Sequence, residues 1–307
     1  MAASSSVQFR GAYTAIVTPF TADGSAVDLK RLEEHVRFQA EGGVSGVVPC
    51  GTTGESPTLE DHEAREVVTT TVRVGKKLGL QVIAGAGSNN TAHAVELHRF
   101  AKEAGADASL QVSPYYNKPS QEGLYRHFTT IADSCDLPIV LYNIPGRCGV
   151  AISPETVERL ARHPNIRAIK EATGSMDSAS EIAQRCGITI LSGDDSLTLP
   201  FAACGSVGVV SVVSNLVPRK VQSLCDAFNG GRFDEAKRMH AELFRLCRGL
   251  LTLDINPVPV KTAMRILGRD SGALRLPLVP PSKEIAAKIG ELLAEFGLRR
   301  LEAAATV

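Results

Sequence analysis

Eight short apolar runs rich in β-branched residues alternate with longer amphipathic stretches along this chain. The runs are continuous rather than alternating between apolar and polar residues, which is typical of strands buried on both faces of a parallel sheet. The stretches between them have helical character, and Asp28, Ser120 and Ser153 stand where helix N-caps are expected. The predicted strands are 12–18, 46–50, 81–85, 108–113, 138–143, 166–170, 188–192 and 208–213.

Eight strand–helix repeats in succession favour a closed (β/α)8 TIM barrel over an open doubly wound sheet. The open sheet would have a G-x-G-x-x-G turn after its first strand, whereas the first strand here ends in VTPF. After Pro218 the strand signals stop, and helical patterns follow at 232–251 and 283–296. We therefore predict a barrel with the active site over residues 1–225 and a C-terminal helical extension over residues 226–307.

The overall composition argues against several classes of partner. Thirty-three Lys and Arg balance 33 Asp and Glu, and a chain of zero net charge is a poor match for nucleic acid or an anionic membrane. No apolar run has membrane-spanning length, and the first ten residues lack the apolar core of a signal peptide. The seven cysteines include no C-x-x-C pair, which predicts reduced thiols rather than a zinc site or disulfide framework. These features predict a cytoplasmic enzyme.

The sixth predicted strand ends in a lysine, Lys170. Active sites of TIM barrels lie at the carboxyl ends of the strands, so this lysine is expected at the active-site rim. On a regular strand Ile166, Ala168 and Lys170 share one face. If that face is the barrel interior, desolvation favours the neutral amine, which is a nucleophile towards carbonyl groups. The alternatives are a surface lysine or a buried ion pair with Glu171.

Other polar side chains are predicted at the same rim. Tyr142, near the end of the fifth strand, could carry protons or could be an ordinary half-buried aromatic residue. Thr52 and Thr53 lie between two glycines, where they could contact a small anion or form a turn that caps a helix. Arg147 could bind a carboxylate or remain solvated. The rim has no His, Cys and carboxylate set at metal-ligand spacing, so we predict no metal site.

Four motifs follow one another along the chain: GTTGES at 51–56, PYYNKP at 114–119, YNIPGR at 142–147 and IKEAT at 169–173. Together they resemble the dihydrodipicolinate synthase family, within the N-acetylneuraminate lyase superfamily of class I aldolases. The resemblance covers nearly the whole chain. It implies a lyase that condenses pyruvate with L-aspartate 4-semialdehyde in the diaminopimelate route to L-lysine. It also implies that no cofactor is needed, because Lys170 itself forms an imine with pyruvate.

The same resemblance implies roles for individual residues. Tyr142 corresponds to the proton donor and acceptor of the family, which is linked to Thr52 and to a tyrosine from a neighbouring subunit. Tyr116 matches that tyrosine. Thr53 and the main chain of Val210 correspond to contacts with pyruvate.

Arg147 corresponds to the family's residue at the entrance of the site, which holds the carboxylate of the semialdehyde. The shared tyrosine implies at least a dimer, and the resemblance implies a homotetramer built from two tight dimers. Within the superfamily, Arg147 and the loop 115–117 favour the synthase. The alternative is another pyruvate-dependent enzyme, either a sugar-acid aldolase or lyase or a hydratase-aldolase.

In lysine-inhibited members of the family, an acidic side chain and an imidazole hold the inhibitor at the tight-dimer interface. Here His93 stands where the acidic residue is expected and Asp61 where the imidazole is expected, while Asn89 and Tyr115 match. A histidine cannot supply the charge-assisted bond that the inhibitor's ammonium group needs. We therefore predict weak or absent inhibition by L-lysine, unless Asp61 restores the missing negative charge.

Overall fold

The computed structural model describes residues 7–300. Its eight parallel strands are hydrogen-bonded in chain order, and the first also pairs with the last, so the sheet closes into a barrel. The predicted (β/α)8 barrel is confirmed, and the predicted strands differ from the observed ones only by a few residues at their ends. The strands are β1 (Gly11–Ala15), β2 (Gly46–Val48), β3 (Gln81–Gly85), β4 (Ala108–Val112), β5 (Ile139–Asn143), β6 (Ile166–Glu171), β7 (Thr189–Ser192) and β8 (Gly208–Ser211).

Helices follow the strands and cover the outside of the barrel. The side chains of Asp28, Ser120 and Ser153 accept bonds from main-chain N–H groups three residues on, as expected of N-caps. None of the helices within residues 7–300 is both long and apolar enough to cross a membrane. The helices are α1 (Leu29–Glu41), α2 (Asp61–Lys77), α3 (Thr91–Glu103), α4 (Gln121–Asp133), α5 (Pro145–Cys148), α6 (Pro154–Leu160), α7 (Met176–Arg185), α8 (Thr198–Ala203), α9 (Pro218–Asn229), α10 (Phe233–Thr252), α11 (Val258–Ile266) and α12 (Lys283–Glu295).

All eight strands contribute apolar side chains to the barrel interior, and the apolar side chain from β6 is that of Ala168. Ile166 packs instead in the outer cluster between the sheet and the helices. The cause is an irregular register, since Ile139 pairs with Ile166 while Val140 pairs with Ala168, and one extra residue interrupts the alternation. The prediction that Ile166 shares a face with Lys170 is therefore wrong.

The predicted C-terminal helical extension is confirmed, and it consists of α10, α11 and α12. These helices share one apolar cluster with the outer faces of β1 and β8 and with α1, α2 and α9. The predicted division after residue 225 falls within α9 and stays a prediction. The packing brings the segment between α10 and α11 against loops at the carboxyl ends of the strands.

Candidate active site

A cavity of about 240 Å³ opens at the carboxyl ends of β2, β3, β4 and β5. Three of the residues predicted for the site line it together, namely Thr52, Tyr142 and Arg147. Tyr115 contributes a further wall from the loop after β4. Hydroxyl-bearing residues from two loops and from β5, together with one guanidinium, thus surround a space large enough for a small organic acid.

Lys170 adjoins this cavity through Tyr142, its partner in the register between β5 and β6. The Lys170 side chain is buried, with 6% of the residue exposed, and Nζ lies 3.9 Å from the centroid of the Tyr142 ring. Within residues 7–300, no carboxylate forms an ion pair with Lys170. Glu171 points away from the barrel interior and accepts hydrogen bonds from Asn143 Nδ2 and the main-chain N–H of Thr173. Lys170 is therefore neither a surface lysine nor the partner of Glu171.

The loop after β2 carries the two threonines in consecutive turns, in which Gly54 N donates to Gly51 O and Glu55 N donates to Thr52 O. Helix α2 begins only at Asp61, so neither threonine caps it. Thr52 lines the cavity, whereas Thr53 is buried. The turn of that alternative is thus present, but its helix cap is wrong.

Two left-handed residues enclose this loop, Cys50 and Glu55, each with φ of 53°. Residues other than glycine adopt the left-handed backbone region at an energetic cost, so the surrounding structure has to hold the loop in place. Close approach of the next strand is part of that support. A Cβ added at Gly85 would lie 2.1 Å from Cys50 O, so only glycine fits there.

A buried ion pair between Glu55 and Lys261 of α11 also holds the loop. Lys261 Nζ lies 2.6 Å from Glu55 Oε1, and both side chains are fully buried. Lys261 Nζ also donates to Thr18 O at 2.9 Å, and the main-chain N–H of Arg275 donates to Glu55 Oε2. Burial lowers the pKa of Lys261, and the adjacent Glu55 opposes that shift. This pair was not predicted from the sequence, although a lysine among the apolar residues of 257–264 was a visible signal.

Asn256 was not predicted as a site residue from the sequence, but it contacts two residues that were. Its Nδ2 donates to Thr53 Oγ1 at 3.0 Å, and its main-chain oxygen accepts from Arg147 Nη2 at 3.2 Å. Arg147 is exposed at the mouth of the cavity, as expected for an entrance residue. Nothing in the local sequence of Asn256 indicates these contacts, because Thr53 and Arg147 come from distant loops.

Val210 lies in the barrel interior, and Asp195 secures the residues that follow it. The Asp195 carboxylate accepts bonds from Ser211 Oγ and from the main-chain N–H groups of Val212 and Val213. Burial raises the pKa of Asp195 to about 6. Asp195 therefore holds the end of β8 in place.

Tyr116 lies outside the cavity of its own chain. It is 90% exposed and has φ of 73°, an unusual backbone conformation for a bulky residue. Its neighbour Tyr115 is held by Asn89, whose Nδ2 donates to Tyr115 O at 3.1 Å. A large aromatic side chain presented to solvent in this way is suited to contact another molecule.

Two cysteines line the cavity, Cys50 and Cys148. Burial raises the pKa of Cys50 to about 12 and that of Cys148 to about 11, so both thiols are protonated at neutral pH. Neither is therefore poised to act as a thiolate nucleophile. No cluster of three metal-ligating side chains occurs within residues 7–300.

Known proteins that are similar to this chain cover nearly all of it. The model of the Dihydrodipicolinate synthetase family matches residues 8–296. The 4-hydroxy-tetrahydrodipicolinate synthase of Geobacter sulfurreducens is 51% identical, over 94% of this chain and 99% of its own. The solved structure of dihydrodipicolinate synthase from Aquifex aeolicus is 44% identical with a TM-score of 0.93, over 96% of this chain and all of its own. The solved structure of the 4-hydroxy-tetrahydrodipicolinate synthase from Methylacidiphilum fumariolicum is 47% identical with a TM-score of 0.91, over 94% of this chain and 96% of its own.

Proposed function

The chain belongs to the dihydrodipicolinate synthetase family, and from this membership we propose the reaction that it catalyses. It is a lyase that condenses pyruvate with L-aspartate 4-semialdehyde to give 4-hydroxy-tetrahydrodipicolinate, in the diaminopimelate route to L-lysine. The observation that carries the proposal is the Lys170 amine, buried against Tyr142 at the active-site end of β6 without a carboxylate partner in the described chain.

In the proposed mechanism, Lys170 Nζ attacks C2 of pyruvate, and the ketone oxygen leaves as water. The resulting protonated imine withdraws electrons from C3, which loses a proton and becomes the nucleophilic carbon of an enamine. That carbon bonds to the aldehyde carbon of the semialdehyde. The amino group of the semialdehyde then displaces Lys170 by transimination and closes the ring, which restores the free amine without any organic cofactor.

Proton transfer in these steps is assigned to Tyr142 and Thr52. The Tyr142 ring lies next to Lys170 Nζ, and Thr52 lines the same cavity, which supports a relay of hydroxyl groups between the imine and its surroundings. Tyr116 of a neighbouring subunit is proposed to complete the relay, since its exposure in the single chain leaves it free to do so.

Substrate binding is assigned to Thr53, the main chain of Val210 and Arg147. Thr53 and Val210 are proposed to contact pyruvate, and both are buried close to the barrel interior. Arg147 is proposed to hold the semialdehyde carboxylate, which its exposed position at the mouth of the cavity supports. Product identification after incubation with pyruvate and each candidate aldehyde tests the assignment. A product formed only with another aldehyde would contradict the synthase and favour a different aldolase.

We propose that the enzyme acts in the cytoplasm as a homotetramer. All seven cysteines are unpaired, which suits a reducing compartment. The exposed Tyr115 and Tyr116 supply an aromatic surface of the kind that subunit interfaces contain.

The shared site leads to a complementation prediction. Tyr116→Phe removes the hydroxyl of the relay and Lys170→Ala removes the nucleophile, so each variant alone should have little activity. After subunit exchange between the two, some sites combine an intact Lys170 with an intact Tyr116 from the partner. Statistical mixing gives recovery to roughly a quarter of the wild-type activity. No recovery despite exchange proven by mass spectrometry would show that each site is complete within one chain.

The pair of His93 and Asp61 leads to a prediction about inhibition. His93 Nε2 lies 3.7 Å from Asp61 Oδ1, and both side chains are accessible. We expect at most weak inhibition in a titration with L-lysine, because no acidic side chain stands at position 93. His93→Glu should strengthen inhibition by about tenfold or more, as a charge-assisted bond would. Half-inhibition of the wild type at sub-millimolar lysine would show that Asp61 substitutes for the missing acid.

A further inference from the structure

Asn256 lies in the segment between α10 and α11 and contacts Thr53 through its side chain. The Asn256 amide nitrogen donates to Thr53 Oγ1 at 3.0 Å. A threonine hydroxyl has one hydrogen to donate and two lone pairs to accept with. Because the amide occupies a lone pair, the hydroxyl hydrogen remains to be donated elsewhere. Within residues 7–300, the Thr53 hydroxyl forms no hydrogen bond other than the one from Asn256.

The orientation of the Asn256 amide follows from counting its partners. Oδ1 is buried and accepts no hydrogen bond within the described chain. The reversed amide would place two N–H groups at that buried position, and each of them would need an acceptor there. Buried donors without partners are rarer and more unfavourable than a carbonyl oxygen in the same state. In the observed orientation the amide nitrogen faces Thr53, and the carbonyl oxygen is the one group of this amide left without a partner in the described part of the chain.

We propose that Asn256 is a positioning residue that makes the Thr53 hydroxyl a donor towards the carboxylate of the keto acid. A carboxylate only accepts hydrogen bonds, so a hydroxyl forced to donate matches it. The inference rests on the proposed function, in which Thr53 contacts pyruvate, and it adds how this contact receives its direction. It also gives the extension a part in substrate recognition by a loop that belongs to the barrel.

Asn256→Asp tests the proposal because it replaces the donor with an acceptor. The aspartate would accept the Thr53 hydroxyl hydrogen and leave a lone pair facing the substrate carboxylate. We expect the pyruvate concentration for half-maximal trapping of the Lys170 imine by borohydride to rise about 10- to 100-fold. Asn256→Ala, which leaves the hydroxyl free to rotate, should raise it less.

The new charge of Asn256→Asp also acts on pyruvate directly, so the same substitution is made in a Thr53→Val background. If the Thr53 hydroxyl carries the effect, Asn256→Asp should raise the half-maximal pyruvate concentration by only about threefold or less in the Thr53→Val background. The difference between the two backgrounds measures the coupling between the two residues. Equal rises in both backgrounds, or no rise with Thr53 intact, would overturn the proposal. An equal rise in the half-maximal pyruvate concentration for Asn256→Ala and Asn256→Asp would overturn it too. A wild type that forms no imine with pyruvate would overturn the proposed function as well.

Discussion

Lys170→Arg is expected to lower kcat on the order of 10⁴-fold or more, because the substitution removes the nucleophile. Arginine keeps the positive charge and much of the length of lysine, but its guanidinium stays protonated and cannot attack a ketone. In the wild type, borohydride added with pyruvate should reduce the imine and leave a stable adduct on Lys170. Peptide mass mapping measures this adduct, which should be absent from the variant.

Lys118→Arg is the matched control for this experiment. Lys118 lies in the loop after β4, close to the site, but it is exposed and lacks the buried environment of Lys170. The control should keep its activity and still form the adduct on Lys170. An adduct on any other lysine, or full activity of Lys170→Arg, would contradict the imine mechanism.

Lys261→Met is expected to destabilise the protein by about 3–5 kcal/mol, because it leaves the Glu55 carboxylate buried without its counter-ion. Both side chains of this pair are inaccessible to solvent, so water cannot replace the lost ammonium group. Chemical denaturation followed by circular dichroism at fixed protein concentration measures the loss.

The double variant Glu55→Gln with Lys261→Met is the control, because it removes both charges together. The glutamine oxygen can still accept from the main-chain N–H of Arg275, so we expect most of the stability to return. A Lys261→Met protein as stable as the wild type would show that the pair contributes little. A double variant no more stable than Lys261→Met would show that packing, rather than the uncompensated charge, causes the loss.

Residues that follow a local rule could be predicted from the sequence. The strands were recognisable because strands buried on both faces consist of consecutive apolar residues. Lys170 was recognisable because a charged residue at the end of such a strand is unusual. Ile166 was placed on the wrong face because the register irregularity beside it depends on pairing with Ile139 and Val140, which alternation within one strand does not reveal.

Contacts between distant parts of the chain could not be predicted in this way. Glu55 and Lys261 are 206 residues apart, and Thr53 and Asn256 are 203 apart. Lys261 stands out among apolar neighbours, but nothing near it in the sequence indicates its partner, so only the three-dimensional packing of the extension against the barrel brings these partners together. The roles of Tyr116 and Arg147 came from a resemblance, and their exposure adds a structural reason for them.

The distance along the chain between Glu55 and Lys261 also sets an order of events during translation. Domains fold from the N-terminus as they are synthesised, at about 5–20 residues per second. A nascent chain that has just completed β8 contains every strand of the barrel, but the codon for Lys261 is still to be read, and that takes roughly 3–10 seconds more. During this interval Glu55 has no ammonium partner, and the loop that carries Thr52 and Thr53 lacks the buried ion pair that holds it. The enzyme therefore becomes competent only near the end of its own synthesis.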